Sequence, residues 1–472
     1  MPVASGAVHV RRTACASVTV TAPASAVLLW FRRDLRTTDH PALLAAVDEA
    51  RGLGRPVVPL FVVEDGLMAG GGPNRRAYLA RALASLDASL GGALTLRRGR
   101  PEVVVSRLAS EIGASTVFAT GDCAPYGRRR DARVVDALAA DGRSLARIGS
   151  PYAVSPGRVL TGDGNPYRVF TPFRRAWAAH GWPTPTGQPA GVTWATPGSE
   201  LAAADLEPDP GTVAAALPAA GEGAAATLLD RFSDGPVATY ADDRDRPGLE
   251  GTSRLSPHLR FGTVHPRTVL ARIPSDPSGE VFRSEMAWRE FYADVLWHRP
   301  DSAWVSWSAI GTHLRCDAGP QADARFTAWA EGRTGYPLVD AGMRQLRAEG
   351  WMHNRVRMVT ASFLVKDLHL PWQRGAAWFL DQLVDGDVAS NNHGWQWVAG
   401  TGTDAAPFHR VFSPERQAAR FDPDGSYVSR YVTELGTSDY PAPIVDHAHE
   451  RVECLARWEE ASRAAAGSGP GS

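Results

Sequence analysis

The apolar pattern of this chain changes period part-way along, and that change constrains the fold more than any other feature. Between residues 26 and 149, four short apolar runs are AVLLWF (26–31), PVVPLFVV (56–63), ALTLRR (93–98) and STVFAT (115–120). Amphipathic stretches such as PEVVVSRLASEIGA and RRRDARVVDALAAD separate them. Short apolar runs bounded by turn formers read as buried strands, and strands alternating with helices build a parallel sheet. The pattern therefore predicts a Rossmann-like α/β N-terminal domain over 26–149. No GxGxxG follows its first strand, and GGGP at 70–73 reads as a loop, so the ligand of this domain stays open. Residues 150–225 are rich in Pro, Gly and Ala and read as a long interdomain linker with few elements of its own. Beyond 226 the helical period takes over, as in Val356, Val359 and Phe363, PLVDAGMRQLRAE and GAAWFLDQLV. Residues 226–465 are thus expected to form an all-α C-terminal domain.

Composition excludes several classes. A chain of 472 residues is too long for one ordinary core. No apolar run approaches the roughly 20 residues of a membrane span. Residues 1–25 contain an Arg pair but no apolar core of a signal peptide, so they read as a disordered extension or an early start codon. Residues 466–472 read as a short tail. The four cysteines are scattered without a CxxC pair, which points away from zinc and iron–sulfur sites and toward a reducing cytoplasm. The wealth of Ala, Gly and Arg fits a bacterium with a GC-rich genome. Net charge is −1, so any nucleic-acid binding needs a local basic patch. Lys366 is the only lysine, so phosphate contacts here must be guanidinium forks.

Four segments can carry chemistry. In GTSRLSPHLRFG (251–262), hydroxyls, backbone N–H groups and an Arg precede a helix, which suits either a phosphate cradle or an ordinary cap with Pro in the first turn. In SEMAWREFYADVLWHRP, Glu285, Trp288, Arg289 and Tyr292 share one helix face. A carboxylate, an indole and a guanidinium on one face can bind a nucleobase, or can be a solvated ion pair beside a core Trp. Asn354, Arg355 and Met358 fall within one turn of GWMHNRVRM, where His353 reads as structural. DGDVASNNHGWQW (385–397) mixes two carboxylates, amides, a His and two Trp. No third acidic ligand lies nearby, so no metal site is expected.

Together with FRRDLRTTDHPAL, EGRTGYPLVDAGMRQLRAEGWMHNRVRM and DGDVASNNHGWQWVAGTGTDAAPFHRVFSP, these segments resemble the photolyase/cryptochrome family, with the strongest likeness to class I cyclobutane pyrimidine dimer DNA photolyases. The likeness covers about residues 26 to 465. It implies an N-terminal antenna domain and a C-terminal helical domain that holds FAD. Tyr240, Thr252, Ser253, Arg254, Leu255 and Ser256 match the loop around the FAD phosphates. Phe282, Asp385, Gly386 and Asp387 match flavin-flanking positions. Asn391 matches the position beside flavin N5, where plant cryptochromes carry Asp. Trp288 and Trp397 match the pair that holds a flipped-out dimer, with Glu285 bonding its base edge. Arg244, Arg289, Asn354, Arg355, Met358, Arg410 and Gln417 match contacts to UV-damaged DNA or its lesion. The implied reaction is light-driven electron transfer from reduced FAD (FADH⁻) to the dimer, ring splitting and return of the electron.

Trp395 and Trp372 match the inner two members of the family's photoreduction relay. Cys316 stands where the outer Trp is expected, with Trp304 and Trp307 upstream as substitutes. The loop ATGDCAPYGRRRD (119–131) resembles deazaflavin binders, which favours 8-hydroxy-5-deazaflavin over methenyltetrahydrofolate as antenna and Asp122 as its contact. The alternative on the same fold is a blue-light sensor. Asn391, the Trp288/Trp397 pair and the absence of a long signalling tail favour repair by a monomeric, membrane-independent enzyme. A (6-4) photolyase would carry His residues around Trp351, Met352 and Asn354, where this chain has none that match. His393 reads as a bystander.

Overall fold

The computed structural model of the protein describes residues 20–21, 25–405, 407–408 and 410–467. Most of the extension expected over 1–25 and of the tail over 466–472 lies outside them. The four expected strands are β1 (Val27–Phe31), β2 (Val57–Val63), β3 (Thr95–Arg98) and β4 (Thr116–Ala119). A fifth, β5 (Ser144–Arg147), has too few apolar residues to stand out in the sequence. All five are parallel, in the order β3-β2-β1-β4-β5. Every residue of β1 and β2 is buried, as a strand covered by helices on both faces must be. Helix α1 (Pro125–Ala139) follows β4.

The segment read as a linker carries helix α2 (Phe170–His180) and two short 3₁₀ turns. Its Phe170, Phe173, Trp177 and Trp194 are buried. Polar anchors explain why so Pro- and Gly-rich a stretch is held. Glu290, on helix α4 (Pro277–His298), accepts from the backbone N–H of Ala153 (2.5 Å) and Val154 (3.0 Å) and from Trp177 Nε1 (2.6 Å). One turn on, Asp294 accepts from the Gly157 N–H at 2.6 Å. Buried carboxylates persist only when donors surround them, and these donors come from the connector.

The helical half includes α3 (Ser256–Phe261), α4, α5 (Asn354–Ser362), α6 (Trp372–Gln382), α7 (Val388–Ala399), α8 (Pro414–Phe421) and α9 (His447–Gly467). After α5 the chain widens into a π turn over Phe363–Asp367, which brings Lys366 inside. Its Nζ donates to the carbonyls of Phe408 (3.3 Å) and Arg410 (2.9 Å). Helices α6 and α7 pack closely because position 375 is Gly. A Cβ there would lie 2.2 Å from Trp395 Cη2.

The loop leaving β1 fastens the two halves together. Leu35 N–H donates to the Phe261 carbonyl (3.2 Å), and Arg36 Nη1 to the Gly262 carbonyl (3.0 Å). Asp39, fully buried, accepts from Arg267 Nη2 (2.6 Å) and Thr268 Oγ1 (3.1 Å). Gly262 caps α3 with φ of 69°, and a Cβ on it would sit 2.0 Å from the Arg33 carbonyl oxygen. Only glycine satisfies both the left-handed backbone and that approach. Gly262→Ala is expected to cost at least about 2 kcal/mol, read as a lower urea midpoint for the whole chain; an unchanged midpoint would contradict this docking.

Candidate functional site

A cavity of about 570 Å³ opens between α3, α4, α5 and α7. It gathers nearly every position singled out above from segments far apart in sequence. Tyr240, Thr252 to Ser256, Phe282, Asp385, Gly386, Asp387, Asn391 and Trp395 line it, and so do Arg244, Glu285, Trp288, Arg289, Asn354, Arg355, Met358 and Trp397. A second hollow of about 480 Å³ shares the wall Arg355–Met358–Trp397 and adds Arg410 and Gln417. Trp372 and Asp122 line neither.

The polar end is built around the DGD turn. Asp385 accepts from Ser256 Oγ (2.5 Å) and from Arg357 Nη2 (2.8 Å). Ser256 in turn accepts from Trp351 Nε1 at 3.2 Å. Asp387 is the N-cap of α7: its Oδ1 accepts from the Ala389 (3.1 Å) and Ser390 (3.2 Å) N–H groups. Its other oxygen meets Arg33 Nη2, 2.7 Å away and contributed by the α/β domain. Burial alone would raise this carboxyl, but Arg33, Arg260 and Arg289 outweigh it and hold Asp387 at about 2. Arg260 Nε donates to the Gly386 carbonyl at 2.8 Å, and burial together with Arg33 lowers its guanidinium to about 9. Arg33, Arg260 and Arg357 belong to segments whose likeness was noted, yet none was singled out. The signal for Arg357 lay in its spacing, one turn after Asn354 on α5.

The positions matched to contacts with DNA or its lesion divide in two. Glu285 accepts from Arg244 Nη1 at 2.7 Å; burial pushes its carboxyl upward and Arg244 draws it back. Arg355 holds Asp245 with two contacts, 2.7 and 3.2 Å. Arg289, read as a contact to the DNA or lesion, turns inward. Its Nη2 donates to the Pro151 and Leu259 carbonyls, it lies 4.5 Å over the Tyr152 ring, and its buried Nη1 has no partner in the protein. Arg254 sits at φ 50°, over the Trp351 ring at 4.4 Å and paired with Glu349 at 3.0 Å. Gln417 Oε1 is buried without a partner.

Asn391 Nδ2 donates to the Ala376 carbonyl (3.0 Å) and to Asn392 Oδ1 (2.8 Å), which leaves the amide an oxygen to offer. In the lining, Trp395 meets Phe379 edge-on at 5.0 Å; outside it, Trp372 Nε1 donates to Ser306 Oγ at 3.1 Å. Ser306 lies between Trp304, which is 46% exposed, and Trp307. Cys316 is exposed too. His393 is buried between the Ala389 carbonyl (2.7 Å) and Ser302 Oγ (2.9 Å), and burial lowers it to about 4. It is a neutral core residue. Asp122 lies in the α/β domain, in a buried chain with Arg130 (3.1 Å) that continues through Asp131 (2.9 Å) to Arg32 (2.6 Å).

Residues 27–190 match the family model "DNA photolyase", and residues 282–438 match "FAD binding domain of DNA photolyase". The chain belongs to the photolyase/cryptochrome family. Among its relatives, the deoxyribodipyrimidine photo-lyase of Streptomyces griseus is 42% identical, over 93% of this chain and 99% of that one. That of Halobacterium salinarum is 40% identical, over 92% and 99%. The crystal structure of a class III photolyase from Agrobacterium tumefaciens overlays with a TM-score of 0.86 at 36% identity, covering 96% of this chain and all of that one. The family is shown by these matches; the class I likeness is not, since this solved relative is class III.

The cavity fits the family's FAD. Its apolar lining (Phe282, Phe379, Leu383, Val398) suits a fused ring system, and Nη1 of Arg289, a lining residue, is a buried donor without an acceptor in the protein. Asp387 favours the folded state fully above its ordinary value of 3.8, and that contribution fades as pH falls toward 2. Arg33→Ala raises the folded value, so acid release of FAD should begin at higher pH. Flavin fluorescence released along a pH titration measures this; an unmoved acid limb would refute the coupling.

Proposed function

We propose that this protein is a light-dependent DNA repair enzyme that splits cyclobutane pyrimidine dimers, with reduced FAD in the cavity and the lesion flipped in against Trp288 and Trp397. The observation that carries the reading is the shared wall. Residues suited to a flavin and residues suited to a nucleobase line one continuous space, opening past Arg355 and Trp397 toward Arg410. When bound, reduced FAD supplies the photoexcited electron that opens the cyclobutane ring and is then returned. The protein's part is position and charge. Asn391 offers an acceptor, which suits an N–H of the reduced flavin and gives no acid to an anionic one. Glu285, its carboxyl raised by burial, hydrogen-bonds the base edge. Trp288 and Trp397 stack on the bases at roughly 1–3 kcal/mol each. A dimer pairs poorly, so flipping it costs little.

The class I assignment rests on the motif run 331–414. The antenna reading, 8-hydroxy-5-deazaflavin at the end of β1 and β4, rests on the loop 119–131 and on Asp122. Arg32 Nη2 and Asp131 Oδ2, in the same chain of charges as Asp122, are buried without partners. A monomer in the cytoplasm completes the reading; no helix among the described residues is long and apolar enough to cross a membrane.

The decisive experiment illuminates the reduced, FAD-loaded protein with an oligonucleotide carrying one thymine dimer. Dimers should disappear only in the light, and Trp397→Ala should weaken binding of damaged DNA by at least about tenfold. No light-dependent loss of dimers would leave the blue-light sensor as the better reading. An absorption band beyond those of flavin tests the antenna. With Cys316 in place of an outer Trp, photoreduction of oxidised FAD should be slow or run through the Trp304–Trp307 side. Cys316→Trp should therefore speed it, and an unchanged rate would sink that idea.

A further inference from the structure

We infer that Phe170 is a positioning residue for the lesion: its ring backs Trp288 and fixes the plane of the indole that receives the flipped-out base. This rests on the reading of Trp288 as a wall of the lesion site. Phe170 lies in the segment read as a linker, far from the flavin motifs in sequence. Its ring is stacked on Trp288 at 3.7 Å with only 8° between the planes. Trp288 lines the cavity and Phe170 does not, so Phe170 occupies the side of the indole away from the ligand. Phe291 meets both rings edge-on, at 5.7 Å and 5.9 Å, and closes the cluster from the core.

Phe170 is itself held. It is 7% exposed, its backbone N–H donates to Asp404 Oδ2 (2.9 Å), and the Arg168 carbonyl accepts from Thr403 Oγ1 (2.6 Å). Asp404 has φ of 48°, a conformation that a non-glycine residue keeps only when its surroundings impose it. Thr403 and Asp404 lie in the loop just past Gly400, the C-cap of α7, the helix that carries Trp397. One short loop thus ties the support of the first lesion-side aromatic to the end of the helix that bears the second. The spacing of the two indoles is set before DNA arrives, so little rotamer freedom is lost on binding. An indole backed by a fixed ring accepts a base in one plane only, which favours a rigid dimer over two independently mobile bases.

The test uses the full-length, FAD-loaded protein and two duplexes that differ only by one thymine dimer. Phe170→Leu keeps the apolar volume and removes the ring. It should weaken binding of the damaged duplex roughly three- to tenfold, with FAD content and affinity for the undamaged duplex unchanged and repair of saturating substrate within about twofold. Phe170→Tyr restores the ring and should restore discrimination. Trp288→Leu separates the two layers. If it loses discrimination and Phe170→Leu does not, the positioning role is wrong. If Trp288→Leu also keeps discrimination, the lesion wall itself is misread and the inference falls with it. Parallel loss of FAD and of undamaged-duplex affinity in Phe170→Leu would reduce Phe170 to packing and overturn the proposal. Should that variant fail to accumulate, Asp404→Ala, which removes the acceptor of the Phe170 N–H and leaves the ring, is judged by the same criteria.

Discussion

The ion pair between Arg33 and Asp387 is the contact on which the rest of the site depends. Arg33 lies in the loop two residues past the central strand of one domain, and Asp387 caps the helix that carries Asn391, Trp395 and Trp397 in the other. A carboxylate that caps a helix in a half-buried position is held by a countercharge, and here that countercharge belongs to a different fold unit. The first turn of α7 therefore takes its place from the α/β domain. The Gly262 approach and the Asp39–Arg267 pair keep the two surfaces close enough for Arg33 to reach.

Around the DGD turn, Arg33, Arg260, Arg289 and Arg357 face two carboxylates, Asp385 and Asp387. So many guanidiniums in a partly closed space are stable only if something anionic balances them. The lowered Arg260 and the unpartnered Arg289 Nη1 register the imbalance in the protein alone. A diphosphate and an anionic reduced ring are two such charges. Trp288 and Trp397, also in the lining, add stacking surface without adding charge of their own.

Local pattern made much of this legible. Strands β1 and β2 stand out as nearly uninterrupted apolar runs, because burial on both faces leaves no polar alternation. The helix Pro337–Glu349 kept the bounds of its amphipathic stretch. The cavity residues were recognisable through family likeness, since no spacing rule brings Tyr240, Glu285 and Asp385 together. What escaped was whatever depends on tertiary pairing. β5 has little apolar content, Arg289 has the spacing of a surface residue but turns inward, and Phe170 sits in a stretch whose Pro and Gly content masks its buried aromatics. The buried carboxylates Glu290 and Asp294, which fasten that stretch, carry no local signal that sets them apart from helix-surface charges.

Lys366, the sole lysine, is 1% exposed and has its ammonium against two carbonyls under the loop that leads to Arg410. The permanent side-chain positive charge this protein can present to a phosphate backbone is therefore guanidinium, which an exposed Arg keeps across the physiological range. Amine acylation, by metabolites or by lysine-modifying enzymes, finds no side chain on that surface to neutralise. The grip on DNA is thereby insulated from a common route by which cells adjust the charge of their nucleic-acid-binding proteins.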